Sequence, residues 1–119
     1  LKRILIVEDE FIIAMLLEKQ VTRLGYEVVG KMTDGANAID IVRTTPVDAI
    51  LMDIKILGDL DGIQTMLEVR SFSTIPVIYI TGNSDPNTRL RAQETNPIAY
   101  LVKPVDAAVL ADALKVATT

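Results

Sequence analysis

The chain has no cysteine, no histidine and no tryptophan among its 119 residues. Disulfides and thiolate or imidazole metal sites are therefore excluded. Any bound metal must sit on oxygen ligands, which selects hard cations such as Mg2+ or Ca2+. The missing cysteine agrees with a cytoplasmic location. Basic residues are outnumbered, with 12 Lys and Arg against 16 Asp and Glu for a net charge of -4. No Lys/Arg-rich run or basic stretch interleaved with aromatics occurs, so direct nucleic-acid binding is not expected of this domain, although a downstream domain could supply it. No apolar run approaches the roughly 18 residues of a membrane span, and the N-terminus lacks the layout of a signal peptide. No membrane association is expected. The chain begins at Leu1 rather than Met, as an excised piece of a longer polypeptide would.

About half of the residues are hydrophobic, enough for one compact domain with a real core, taken as residues 1–119. Short apolar runs alternate with helix-length segments. RILIV, YEVVG, DAILMD, PVIYI and AYLVK read as five strands, three of them almost wholly apolar, as a parallel sheet covered on both faces requires. Helices are expected from about Glu10 to Leu24 before Gly25, from Ala36 to Thr44 before Pro46, from Gly62 to Ser71, from Ser84-Asp85-Pro86 onward, and from Asp106 to Ala117. Strict alternation implies an α/β fold, a doubly wound parallel sheet with right-handed crossovers.

In such a sheet, ligands bind beyond the carboxyl ends of the strands. The first strand, in ILIVEDE, runs into Glu8, Asp9 and Glu10; the third ends at Asp53, the fourth at Thr81 and Gly82, the fifth at Lys103 and Pro104. Taken singly, each has an ordinary explanation. The acids would favour a helix N-terminus through its dipole, Asp53 and Thr81 would cap turns, and Lys103 would be a solvated charge on an apolar stem. Together they place carboxylates, a hydroxyl and an ammonium from four strands on one edge, which capping preferences do not produce. The set suits a carboxylate nucleophile attacking a phosphoryl group, because cations must neutralise the charge spread over the phosphoryl oxygens. Mg2+ usually takes one or two protein carboxylates and keeps several waters, so Asp9 and Asp53, with Glu8 through water, form a reasonable seat beside Lys103. Thr81 and the backbone N–H groups after it would donate to phosphoryl oxygens.

VEDE after the first strand, LMD at the third, ITG at the fourth and YLVKP at the fifth make the chain resemble, over essentially its whole length, the receiver domain of two-component response regulators. The resemblance implies the CheY-like, flavodoxin-like sheet order 2-1-3-4-5 with five helices. It implies that Asp53 accepts a phosphoryl group from a phosphohistidine of a sensor histidine kinase or histidine phosphotransfer domain, and that the protein catalyses its own phosphorylation and slow dephosphorylation without being a metabolic enzyme. Asp9 would bind Mg2+ directly and Glu8 through water, the backbone carbonyl of Lys55 would complete the protein ligands, and a cis peptide from Lys103 to Pro104 would aim the ammonium. Thr81 and Tyr100 would form the switch pair, altering the surface of the fourth helix, fifth strand and fifth helix. Tyr100 read by itself is equally a half-buried strand aromatic.

Some features depart from the family pattern. The loop after Asp53, IKILGDLDG, is one residue longer than the commonest version and lacks its usual proline. Gly58 and Gly62 would permit positive backbone angles, while Asp59 and Asp61 read as a solvated turn rather than ligands. Lys55 and Asn83 occupy positions where the family tunes access of water. FIIAMLL puts seven apolar residues in a row, more than one buried helix stripe needs, so some are expected to face outward and dock a helical phosphotransfer partner or a second copy in a homodimer. Two readings compete with a phosphorylated switch. One is a degenerate receiver acting as a phosphorylation-independent interaction module, against which the intact acids, Thr81 and Lys103 speak. The other is a nucleotide or flavin enzyme on the same fold, for which the chain lacks a GxGxxG or Walker-type loop after its first strand.

Overall fold

A computed structural model describes residues 1–82 and 85–119. Asn83, and Ser84 of the expected fourth-helix start, lie outside the described residues. Five parallel strands, β1 (Arg3–Val7), β2 (Glu27–Met32), β3 (Ala49–Met52), β4 (Val77–Thr81) and β5 (Ala99–Val102), form one sheet in the order β2-β1-β3-β4-β5. Between and after them run α1 (Phe11–Arg23), α2 (Gly35–Thr44), α3 (Gly62–Arg70), α4 (Pro86–Gln93) and α5 (Ala107–Ala117). The three nearly all-apolar segments are the central strands, where both faces are covered, and the less buried β2 and β5 take the edges. β2 runs past the expected YEVVG through Lys31 and Met32, because its pairing with β1 continues to Val7 opposite Met32 after a register shift between Ile4 and Leu5.

Alternation along the strands divides the core into two layers. Ile4, Ile6, Leu51, Ile78 and Ile80 face α1 and α5, meeting Leu17, Val21, Leu110 and Leu114. Leu5, Val7, Ile50, Met52 and Tyr79 face the other side, meeting Ile39 of α2 and Ile63 and Met66 of α3. Each fully buried Ile or Leu stabilises the fold by about 1.5–3 kcal/mol relative to exposure.

Helices α2, α3, α4 and α5 each start on an aspartate whose carboxylate accepts a backbone N–H of the first turn: Asp34, Asp61, Asp85 and Asp106. Helix α1 differs, since its N-cap Glu10 makes no side-chain cap bond. The N-cap acid of α1 thus does not do the capping work that aspartates do at the other helices. The FIIAMLL run resolves into an inward side, Ala14 and Leu17, and an outward one, where Phe11, Ile12 and Leu16 are 76%, 64% and 53% exposed.

Candidate functional site

The carboxyl ends of β1, β3, β4 and β5 meet at one cleft of about 570 Å3, lined by Asp9, Glu10, Asp53, Lys55, Thr81 and Lys103 among others. Backbone pairing brings them there. The Asp53 amide donates to the Val7 carbonyl at 2.9 Å and the Lys103 amide to the Thr81 carbonyl at 2.7 Å, so each side chain is delivered by the last rung of a strand ladder. Glu8 and Asp53 are almost fully buried, at 2% and 6% exposure. The Lys103 ammonium bridges them, 2.7 Å from Glu8 Oε1 and 3.0 Å from Asp53 Oδ2. Glu8 Oε2 also accepts the Glu10 amide at 3.2 Å. Oxygens of Glu8, Asp9 and Asp53 all lie within 4.8 Å of one another.

One ammonium faces three carboxyl groups, and the electrostatics register the shortfall. Burial pushes the Glu8 carboxyl up to about 7; the Lys103 hydrogen bond opposes the rise and the neighbouring Asp53 adds to it. For Lys103, burial pulls the ammonium down, but the bonds to Glu8 and Asp53 outweigh it and the net shift is upward. An all-oxygen donor set with surplus negative charge fits a hard divalent cation, and receiver domains generally bind Mg2+ at an acidic pocket of this kind. The Lys103–Pro104 peptide is cis.

Of the remaining candidates, Lys55 and Thr81 also line the cleft. Lys55 is exposed on the rim of the cleft. Thr81 is 4% exposed at the end of β4. Tyr100 is half-buried on β5, its ring tilted against that of Tyr79 with centroids 6.2 Å apart. On the outer side the Arg89 guanidinium lies 5.0 Å from the Tyr100 ring centroid.

Two expectations for the loop after Asp53 need correction. Gly58 adopts a positive φ of 89°, but Gly62 does not. Glycine is required at 62 for space instead: a Cβ there would stand 2.2 Å from the Asp53 carbonyl oxygen. Nor is Asp61 part of a merely solvated turn. It caps α3 in a reciprocal capping box with Gln64 and pairs with Arg91 of α4 at 2.9 Å. The box was legible as Asp61-Gly-Ile-Gln64, an N-cap acid three residues before a glutamine. Nothing in the sequence pointed to Arg91 as its partner, or to Arg89 as a neighbour of Tyr100. The longer loop is also pinned at its midpoint, where the Leu57 amide donates to the Thr33 carbonyl at 3.1 Å.

A parallel sheet in this order, with acids, a threonine and a lysine at its strand ends, is the architecture of a receiver domain, and comparison with known proteins gives the same class. The family model described as "Response regulator receiver domain" matches residues 4–115, and the chain belongs to that family. Among curated relatives, it is 34% identical over 118 residues to the transcriptional regulatory protein PdtaR of Mycobacterium tuberculosis, covering 99% of this chain and 57% of the relative. It is 37% identical over 105 residues to the uncharacterized transcriptional regulatory protein YbdJ of Bacillus subtilis, covering 87% of this chain and 45% of the relative. The chain thus spans about half the length of these relatives. Among solved structures, the signal receiver domain of a modulated diguanylate cyclase from Desulfovibrio desulfuricans G20 superposes with a TM-score of 0.92 at 36% identity, covering 99% of this chain and 94% of that one. A CheY-like receiver domain protein from Methanospirillum hungatei JF-1 gives 0.88 at 26% identity, covering 97% and 91%. Among the described residues, no helix is long and apolar enough to cross a membrane.

Proposed function

We propose that residues 1–119 are a single receiver domain, cytoplasmic, that works as a phosphorylation-activated switch with Asp53 as phosphoacceptor. The observation that carries the reading is the Lys103 ammonium held between Glu8 and Asp53 at the floor of an acidic cleft. A carboxylate oxygen of Asp53 attacks phosphorus, the P–N bond to the imidazole of a phosphohistidine breaks, and the imidazole leaves with a proton from solvent. The product is an acyl phosphate. Lys103 neutralises charge on the transferring group, and Thr81 supplies a hydroxyl donor to its oxygens. Asp9 and Asp53, the Lys55 carbonyl and, through water, Glu8 would hold Mg2+, which when bound adds positive charge against the phosphoryl oxygens. The donor is a sensor histidine kinase or a histidine phosphotransfer domain, and the outward Phe11, Ile12 and Leu16 would meet it or a second copy of the chain. Movement of Thr81 toward the phosphoryl group, with Tyr100 following, would alter the surface formed by α4, β5 and α5.

Intact-protein mass after incubation with Mg2+ and acetyl phosphate tests the reading. One hydroxylamine-labile phosphate adduct in wild type, absent from Asp53→Asn, is the expected result. No adduct and no Mg2+ binding would leave a phosphorylation-independent interaction module.

A further inference from the structure

Helix α4 is weakly embedded: of its eight residues only Ala92 is buried, and Leu90 is 63% exposed. Its C-terminal end and its body are held by different kinds of contact. At the C-terminal end the bonds are buried or partly buried. The Thr95 hydroxyl donates to the Ala92 carbonyl at 2.7 Å, which leaves it to accept from the Tyr79 hydroxyl at 2.6 Å. Arg70 adds a bond from Nε to the Thr95 carbonyl at 2.8 Å and another from Nη1 to the Ile75 carbonyl at 2.7 Å. Thr95 and Tyr79 are fully buried, and a buried polar group that lost these partners would have no water to replace them.

The body of the helix is gripped from the surface. Arg91 pairs with Asp61 at 2.9 Å, and Arg89 stands over the Tyr100 ring. Residues two apart on a helix point some 200° apart, so the two arginines reach to opposite flanks. Each flank leads to the phosphoacceptor. Asp61 closes the loop that begins at Asp53; the next residue, Gly62, donates its amide to the Ile54 carbonyl at 2.7 Å and has no room for a Cβ beside the Asp53 carbonyl. Tyr100 lies on β5, the strand that delivers Lys103.

We propose that α4 is a hinged helix, pivoting on the Tyr79–Thr95–Arg70 knot and held in its resting position, among the described residues, by two releasable arginine clasps, Arg91 on Asp61 and Arg89 on Tyr100. The clasps couple it to Asp53 by two separate routes, and this coupling rests on the phosphoacceptor reading above. An exposed ion pair or cation–π contact changes an equilibrium by a factor of about 1.5 to 5, enough to bias a helix this lightly packed. A contact that favours the resting conformer taxes binding of any ligand that prefers the released one by the same factor.

The test uses the whole chain as Arg91→Gln, Arg89→Gln, the double variant and Asp61→Asn, the last of which keeps an N-cap acceptor for α3. Hydrogen exchange of the α4 amides is followed in the unmodified protein, and affinity for beryllofluoride with Mg2+ is titrated separately. Each single variant should exchange about 1.5- to 5-fold faster over Thr88–Gln93 and the double variant faster still, while the Thr95 amide keeps its protection. Asp61→Asn and Arg91→Gln should not add, since they break the same contact. Beryllofluoride affinity should rise by similar factors. Unchanged α4 exchange in the double variant, with normal beryllofluoride binding, overturns the clasps. Loss of Thr95 protection along with the rest overturns the pivot. Faster α4 exchange in a protein that binds no beryllofluoride even as wild type keeps the hinge, and overturns the coupling to Asp53 along with the phosphoacceptor reading.

Discussion

The two lysine and arginine contacts at the top of the sheet have nearly the same length and opposite energetic character. Lys103 meets Glu8 and Asp53 at 2.7 and 3.0 Å with its partners' side chains 1% and 8% exposed; Arg91 meets Asp61 at 2.9 Å with side chains 46% and 29% exposed. In water a charge loses little when its partner departs, whereas in the cleft a stranded charge is largely withheld from solvent. Distance sets whether a pair exists, and burial sets what it is worth. The first contact therefore belongs to a site that must not come apart, and the second to a clasp that can.

The sharpest way to break this contrast is Lys103→Met. It leaves Glu8 and Asp53 facing each other, and we expect a loss on the order of 3 kcal/mol in urea unfolding at pH 8. The loss should shrink at pH 5, where Glu8, its carboxyl already pushed up to about 7, relieves the repulsion by taking up a proton. A loss below about 1 kcal/mol at pH 8 would put Lys103 in the same class as a surface pair.

Next in size is the effect of pH and metal on the wild type. Glu8 binds its proton more tightly folded, with its carboxyl pushed up to about 7, than unfolded, at the ordinary 4.5. Its contribution to stability is therefore fully present below 4.5 and is lost as the pH rises through about 7. Metal-free protein should melt progressively lower across that window. Millimolar Mg2+ should restore the melting temperature at pH 8 and do little at pH 5, and equal gains at both would show that the cation does not address this carboxylate.

Gly62→Ala forces a Cβ against the Asp53 carbonyl. It should cost about 1–3 kcal/mol, the range for overpacking, and slow the reaction with acetyl phosphate. Arg91→Gln should stay within about 1 kcal/mol of wild type, with the difference fading in high salt. Smallest in stability is Phe11→Glu, expected within about 0.5 kcal/mol because the side chain is already in solvent. Its signature would be slower transfer from a phosphohistidine protein, or a changed oligomeric state, with acetyl phosphate reactivity intact. If both transfer and oligomeric state survive, the outward face of α1 is no docking surface.

Much of this molecule follows from local pattern. Apolar runs of strand length, glycine after α1, and aspartate before α4 and α5 mark the elements directly, because capping and periodicity act between near neighbours. ILIVEDE poses its own question of why a buried strand should end on three acids. The answer lies 95 residues away in Lys103, a separation across which no spacing rule reaches. The recurrence of polar groups at strand ends made the cleft legible all the same, since topology gathers every carboxyl end on one edge. What the Asp53 loop does was misread at Gly62, because close approach of two backbones leaves no mark in sequence that distinguishes it from a turn.

The order of elements, the two apolar layers and the identity of the groups at the sheet's edge follow from residue order alone, since each depends on residues close together in the chain. Packing of the folded chain is what puts Lys103 between Glu8 and Asp53, turns Phe11, Ile12 and Leu16 outward, and brings Arg89 and Arg91 to Tyr100 and Asp61. Those outcomes depend on which surfaces meet after the sheet twists and the helices pack. A charge acquires its energetic meaning only when its neighbours, and the water they exclude, are in place.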